Sequence, residues 1–408
     1  METTANPTLN TTAPSNPTTR KRPRHASSPP RPYVLLPFHG EHKRAISSLS
    51  FAPTLPCHTN PSSLNACASE ILARCATASA DGSAKIWDIS REMWNETSSQ
   101  RGDGSISRGL KPTSTLQGHA RGINDVSWSP SAMYLATASD DKTLRLWDIS
   151  TSSSSSPSSE EEATGDALVE FRGHLDFVFS CSFSPASDLL ASGSFDSTVK
   201  LWDVRCGSCV CTLPAHSDPV TSVCFNYDGT CVASASHDGL ARVWDVGTGE
   251  CLKTIVGEES SEGVAVGCVK FSPNGRFLLS GSLDGRVRLW DLVAGRWCFT
   301  GEKSETKRKG RCTKTYRGHV NSRFCVFSTF STVNPLRNLV VTGSEDGKVY
   351  LYDLQSRMVR QTLDGHGGDE VLAVDAHDSL ELIGSGGMTK DRTVRFWGVA
   401  GGESQPDV

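Results

Sequence analysis

Residues His174–Asp203 read HLDFVFSCSFSPASDLLASGSFDSTVKLWD. A His opens the stretch and a Trp-Asp pair closes it 28 residues later, with a strand pair and a tight turn at Asp196 between them. The same spacing joins His119 to Trp147 around Asp141, and His216 to Trp244 around Asp238. Working outward, the chain stops seven times at an aromatic-Asp or related pair: Trp87-Asp88, Trp147-Asp148, Trp202-Asp203, Trp244-Asp245, Trp290-Asp291, Tyr352-Asp353 and Trp397-Gly398. Self-similarity at about 40–45 residues is the mark of four-stranded propeller blades. The expectation is an all-β, seven-bladed β-propeller.

These copies resemble the WD40 repeat family. There, the His, a strand Ser or Thr, the turn Asp and the Trp indole form a buried hydrogen-bond relay, and buried polar groups of this kind come as a set. Asp-Gly at residues 81–82, 238–239, 284–285 and 346–347 predicts two-residue hairpin turns of the primed type. The same His and Asp residues invite a metal or acid–base reading, but repetition in every blade is what a scaffold needs and an active site does not.

The composition is consistent with a scaffold. A net charge of −4 over 408 residues gives no global nucleic-acid signature. No apolar run approaches the roughly 18 residues of a membrane span, and no signal-peptide stretch follows Met1. The 14 cysteines are scattered, with Cys181, Cys224, Cys231, Cys268 and Cys325 on predicted strands, which suits buried thiols in a reducing compartment. Cys206 and Cys209 form a CxxC beside Cys211, without the second pair a zinc site requires. No metal or cofactor is expected, and the sequons at Asn10 and Asn95 are chance matches if the protein is intracellular.

Three regions follow. Residues 1–32 are rich in Thr, Pro, Ser and Asn and are expected to be a disordered tail; their basic run Arg20-Lys21-Arg22-Pro23-Arg24 suits nuclear import. The propeller is expected over residues 33–398, with Tyr33–Phe38 supplying the outer strand of the last blade, and residues 399–408 form a polar tail. Insertions at Thr54–Leu72, Arg91–Pro112, Thr151–Ala167 (with Glu160-Glu161-Glu162) and Gly301–Cys312 (with Lys307-Arg308-Lys309) read as loose surface loops.

Function on such a fold resides on a face. The starts of the innermost strands place Ala45, Ser47, Asn124, Phe179, Pro219, Thr221, Gly267, Phe324, Cys325 and Phe327 around one channel mouth. The residues just before the turn Asp add Ala80, Asp140, Phe195, His237, Leu283 and Glu345. Small residues, two rings on opposite sides and acids suit a stacked guanidinium. Packing accounts for Phe179 and Phe327 equally well at this point.

LPAHSDPV (Leu213–Val220), SGSFD (Ser192–Asp196), ASDDKTL (Ala138–Leu144), FSPNG (Phe271–Gly275) and GSED (Gly343–Asp346) resemble the family of WD repeat-containing protein 5, in register from Tyr33 to Trp397. The resemblance implies the propeller subunit of trithorax-type histone H3 lysine-methyltransferase complexes. Its channel takes one arginine of a short peptide, from the methyltransferase or the histone H3 N-terminal tail. The implied clamp is Phe179 with Phe327, walled by Ala45, Ser47, Ala80, Asp140, Phe195, Pro219, Thr221, Arg323, Phe324 and Cys325. Thr221 stands for a serine and Phe324 for a tyrosine; the larger departures are His237 for a tyrosine and Asn124 and Gly267 for serines. A second implied surface, between blades five and six, takes an acidic, apolar segment of a partner subunit on Asn274, Phe277, Leu289, Lys314, Phe330 and Gln355; Thr332 departs from an apolar residue there.

The resulting expectation is a nuclear, non-catalytic scaffold that assembles a methyltransferase complex, with no membrane contact and no direct sequence-specific nucleic-acid binding. A rival reading is a substrate receptor of a cullin-type ubiquitin ligase. Trp202-Asp203-Val204-Arg205 resembles the WDxR box that docks such propellers.

Overall fold

The computed structural model describes residues 32–53, 71–91, 108–149, 167–257, 263–293, 311–333 and 338–399. The seven-bladed all-β architecture expected from the period is the one observed. Six sheets have four strands and the seventh has five. The innermost strands are Ile46–Phe51, Ile123–Trp128, Val178–Phe183, Val220–Phe225, Val266–Phe271, Ser328–Ser331 and Val371–Ala376. Each touches the next, and the seventh touches the first, so the ring is closed.

The core lies between blades. Leu144 and Leu146 of blade two, for example, pack with Val178, Leu190 and Trp202 of blade three. A buried Trp removes about 150–250 Å² from water, roughly 4–6 kcal/mol at 25 cal/mol/Å², so these indoles anchor the blades. Their nitrogens still need acceptors. In blade three, Trp202 Nε1 donates to Ser192 Oγ at 2.7 Å, His174 Nε2 lies 2.7 Å from the same oxygen, and His174 Nδ1 lies 2.8 Å from Asp196 Oδ2. The carboxylate can only accept, so Nδ1 carries the proton and Nε2 accepts from the hydroxyl. Blades two and four repeat this through Thr137 and Ser234. Blades one and seven form it as well, through His42, Thr77 and Trp87 and through His366, Ser385 and Trp397.

Blades five and six depart from it. In blade five, Trp290 Nε1 donates to Ser280 Oγ at 2.8 Å, and Arg288 replaces the His by bonding Ser282 and Asp284. In blade six, Tyr352 replaces the Trp and its hydroxyl sits 3.0 Å from His319 Nδ1, leaving the buried Nε2 without a partner.

The turns are not of the primed type. Asp81 keeps a negative φ and only Gly82 is left-handed, at 83°, with its N–H bonded to Ser79 O at 3.1 Å. This is a type I turn closed by a left-handed residue, one residue longer than a primed hairpin. The extra residue lets one Asp81 oxygen hold Ser83 N–H while the other faces His42. Lys142 and Ser197 take the left-handed position without glycine, at 72° and 64°.

Tyr33–Glu41 lies as the fourth strand of the last blade, antiparallel to Thr393–Val399, with Leu35 opposite Trp397. The insertions are shorter than expected. Ile71–Ser79, Ala167–Arg172 and Arg311–Arg317 are strands, so Leu72, Ala167 and Cys312 belong to blades. Arg108–Gly109, inside the second insertion, pairs in parallel with Phe38–His39 as a fifth strand of blade seven, and Leu110 packs on its core. The Arg20–Arg24 run, both sequons, the Glu160–Glu162 and Lys307–Lys309 runs and residues 400–408 lie outside the described residues.

Candidate functional site at the channel mouth

Six inner strands carry a register shift near their start, such as that between Ile46 and Ser48. The shift resets the side-chain alternation, so the second and fifth strand residues both turn to the channel. The second position gives the upper ring. There, in blades one, two and four, hydroxyl and amide groups sew the blade to its neighbour. Ser47 Oγ donates to Ile123 O at 2.5 Å, Asn124 Nδ2 to Val178 O at 2.9 Å, and Thr221 Oγ1 to Val266 O at 2.6 Å. With their protons committed, Ser47 and Thr221 offer lone pairs, the half a cationic ligand needs. Asn124 also donates to Asp140 Oδ1 at 2.7 Å, which fixes that carboxylate at the rim.

In the first four blades the residue before the turn Asp joins this ring by a main-chain bond. Ala80 N–H bonds Ala45 O, Asp140 N–H bonds Gly122 O, Phe195 N–H bonds Phe177 O, and His237 N–H bonds Pro219 O. Ala80 and His237 are exposed, whereas Ala45 and Pro219 are half-buried. Half-buried Phe179 stands 6.0 Å from the Phe195 ring, which is 46% exposed, and Phe177 lies 6.3 Å from Phe195. Phe327, half-buried in blade six, is anchored through its N–H to Leu372 O at 3.0 Å. The two rings thus belong to blades three apart around the ring.

The loop ahead of Phe327 depends on a residue the resemblance did not supply. Glu345 Oε1 accepts the N–H groups of Ser322, Arg323 and Phe324 at 2.8, 2.6 and 3.0 Å. Burial opposes the Glu345 charge, but these three bonds outweigh it and hold its carboxyl below the usual range. Its signal in the sequence was its place just before the turn Asp. Arg323 reaches Glu345 and Glu370 and lies over the Phe324 ring at 5.2 Å, so its charge is already answered on the rim. Gly267 is buried, and a Cβ there would stand 3.1 Å from Cys325 Cα. Its lack of a side chain lets the blade-six strand come close. Burial pushes the Cys325 thiol up to about 12, making it an inert wall.

The second surface is only partly assembled. Leu289 is 4% exposed and packs with Leu279, Tyr316 and Tyr352, so it is core and not a contact. Lys314 Nζ is bonded to Leu354 O at 2.6 Å and to Gln355 Oε1 at 3.2 Å, bridging blades five and six. Burial and Arg357 hold its pKa below the usual lysine value. Phe277 and Phe330 are half-buried against the same core, while Asn274 and Gln355 are exposed. Asn274 Oδ1 is engaged by Ser272 Oγ and Arg276 N–H.

Arg205 of the WDxR box is exposed at a blade end, with its N–H on Asp203 Oδ1 at 2.8 Å. Cys206 and Cys209 are free and exposed, their sulfurs directed at Ser208 and at Cys211 O.

A closed ring of seven blades, five with the His–Ser/Thr–Trp relay and a shallow polar mouth, defines a WD40 β-propeller of the scaffold type. The chain belongs to the WDR5 beta-propeller domain family, whose model matches residues 41–398. It is also 32% identical over 193 residues to Nuclear distribution protein PAC1 of Arthroderma otae, covering 42% of this chain and 33% of that one. It is 33% identical over 170 residues to Protein transport protein sec13 of Emericella nidulans, covering 40% and 46%. With THO complex subunit 3 of Arabidopsis thaliana it is 36% identical over 94 residues, covering 23% and 27%. The chain therefore spans less than half the length of these curated relatives.

Proposed function

We infer that this propeller is a non-catalytic nuclear adaptor whose upper channel mouth receives an arginine side chain. The ligand is a short peptide from the histone H3 tail or a methyltransferase subunit, and the protein assembles an H3 lysine-methyltransferase complex. One observation carries the reading: two half-buried rings, Phe179 and Phe327, stand on blades three apart, with acceptor lone pairs of Ser47 and Thr221 in the same ring. A guanidinium stacks on such faces while its N–H groups meet the oxygens. Asp140 at the rim favours a basic or free amino-terminal peptide. The adaptor then works by raising the local concentration of enzyme and substrate tail.

The exposed His237 and the engaged amide of Asn124 alter the wall where flanking residues would lie, so they tune sequence preference and leave the clamp intact. Calorimetric titration of the full chain with Ala-Arg-Thr and Ala-Arg-Ala peptides tests the reading. Micromolar binding, lost with Phe327→Ala and with lysine in place of the peptide arginine, is the expected result. No binding by the folded wild type would reject it. The exposure of Arg205 favours the ubiquitin-ligase reading as a second role, tested by Arg205→Ala in a pull-down with the ligase adaptor.

A further inference from the structure

The loop that enters blade three carries two apolar side chains that its scaffold duties do not require. The position just before the inner strand is Ala45, Gly122, Pro219 or Ala265 in four other blades and Phe177 in blade three. The position after the relay His is Lys43, Ala120, Ser217 or Gly367 in the other relay blades and Leu175 in blade three. The N–H at that position bonds the turn Asp, and Ala120 and Ser217 make the same bond at 3.1 and 3.3 Å without a leucine side chain.

Leu175 is 80% exposed, yet its main chain is held on both sides. Its N–H bonds Asp196 Oδ2 at 2.9 Å, and its carbonyl accepts from Lys142 Nζ at 2.8 Å. Phe177 O accepts the Phe195 N–H and the Ser194 hydroxyl, at 2.8 Å each, so loop and turn form one fixed piece. A lone exposed leucine is ordinary on a protein surface. This one stands on the same loop as a row of rings that starts in the channel. Phe195 lies 6.0 Å from Phe179, and Phe177 lies 6.3 Å from Phe195. Arg121 of blade two ends the row, its guanidinium 5.8 Å from the Phe177 centroid.

We propose that the peptide received at the channel mouth carries a bulky apolar residue near its arginine, and that Phe177, Phe195 and Leu175 form the shelf that selects it. The inference rests on the arginine reading and adds to it the class of flanking residue. Contact takes apolar surface of ligand and shelf out of water together, and the fixed main chain beneath loses little freedom in the process. The two ring steps between Phe179 and Phe177 set the register. An extended chain rises about 3.3 Å per residue, so the anchor falls within about four residues of the arginine. The neighbouring acids are already engaged, Asp176 by Lys142 at 4.0 Å and by the Phe177 N–H, and Asp196 by His174. A basic side chain on the shelf therefore gains less than a leucine.

The test is calorimetry of the full chain with an acetylated, amidated alanine-based peptide holding one central arginine. A single leucine is moved through the four positions on either side of it. At one or two positions the leucine is expected to strengthen binding at least fivefold over the parent, and asparagine at the same positions is not. In Leu175→Ser, which sets the residue type of Ser217 at the equivalent position, and in Phe177→Ala, the gain is expected to fall below twofold. Thermal melts check that both variants fold. Failure of the parent peptide to bind the folded wild type would reject the arginine reading and the shelf with it. Binding of the parent with no leucine gain at any position, or a full gain retained in Leu175→Ser, would overturn the shelf alone.

Discussion

Replacing Ser192 by alanine tests whether the relay is a source of stability or a by-product of packing. Ser192 is fully buried and its hydroxyl serves two partners, the Trp202 N–H and His174 Nε2, both at 2.7 Å. Alanine strands a donor and an acceptor in a dry interior, at about 1–3 kcal/mol each, so the expected loss is about 2–6 kcal/mol. Blade five supplies the internal control. Ser280 serves only Trp290 there, and a cavity of about 30 Å³ lined by Ser280, Ser282, Asp284 and Arg288 adjoins it. A water in the enlarged cavity can accept the orphaned indole N–H, since polar partners surround it. Ser280→Ala is therefore expected to cost about 1 kcal/mol. The assay is chemical denaturation of both variants beside the wild type, followed by tryptophan fluorescence. Equal losses in the two blades, or less than about 0.5 kcal/mol for Ser192→Ala, would refute the reasoning.

Other outcomes follow from the same structure. Burial lowers the His319 pKa to about 4, so the unfolded chain binds the extra proton between that value and about 6.5. Stability contributed by this group is complete above pH 6.5 and is lost as pH falls toward 4, by up to about 3 kcal/mol. His319→Gln should flatten that part of a stability–pH profile. Gly267→Ser, which restores the serine the family resemblance implies, sets a Cβ 3.1 Å from Cys325 Cα and is expected to cost about 1–3 kcal/mol by overpacking; a thermal melt reads the cost, and titration should show weaker arginine-peptide binding. Phe179→Ala is expected to weaken the same peptide by about 2 kcal/mol, roughly thirtyfold, in calorimetry. Glu345→Ala frees three main-chain N–H groups before Phe327, and a several-fold affinity loss with little change in the melt would mark it as a positioning residue.

The ring was legible because its period is written in the chain, and the relay because three blades keep one spacing. Two further relays were hidden by distance alone. The first insertion stretches His42 to Trp87 to 45 residues, and a longer turn sets His366 and Trp397 31 apart. Arg288 standing in for a histidine carries no such signal, since an arginine four residues after an Asp on a strand is common. At the upper mouth, the sequence located which residues meet, because strand starts and pre-turn residues are joined by main-chain bonds. Sequence position alone does not say which polar groups are already engaged. Lys314 reads as a free cation until its bonds to blade six are seen, and Leu289 reads as a contact until its burial is known. The turn type was misread for a related reason: Asp-Gly fits either hairpin, and the need of Asp81 to serve two partners decides between them.

The fourth strand of the last blade comes from the beginning of the propeller sequence, which imposes an order of events on the ribosome. Tyr33–Glu41 emerges first, but its partner Thr393–Val399 is made last. At synthesis rates of about 5–20 residues per second, that interval is roughly 20–70 s. Throughout it the opening strand lacks its antiparallel partner and has only the two-residue strand Arg108–Gly109 to join, while six blades can assemble behind it. A nascent chain of this kind carries a strand without its antiparallel partner for most of its synthesis, a natural target for chaperones. It is also the place where a neighbouring nascent chain on the same message could insert its own first strand instead.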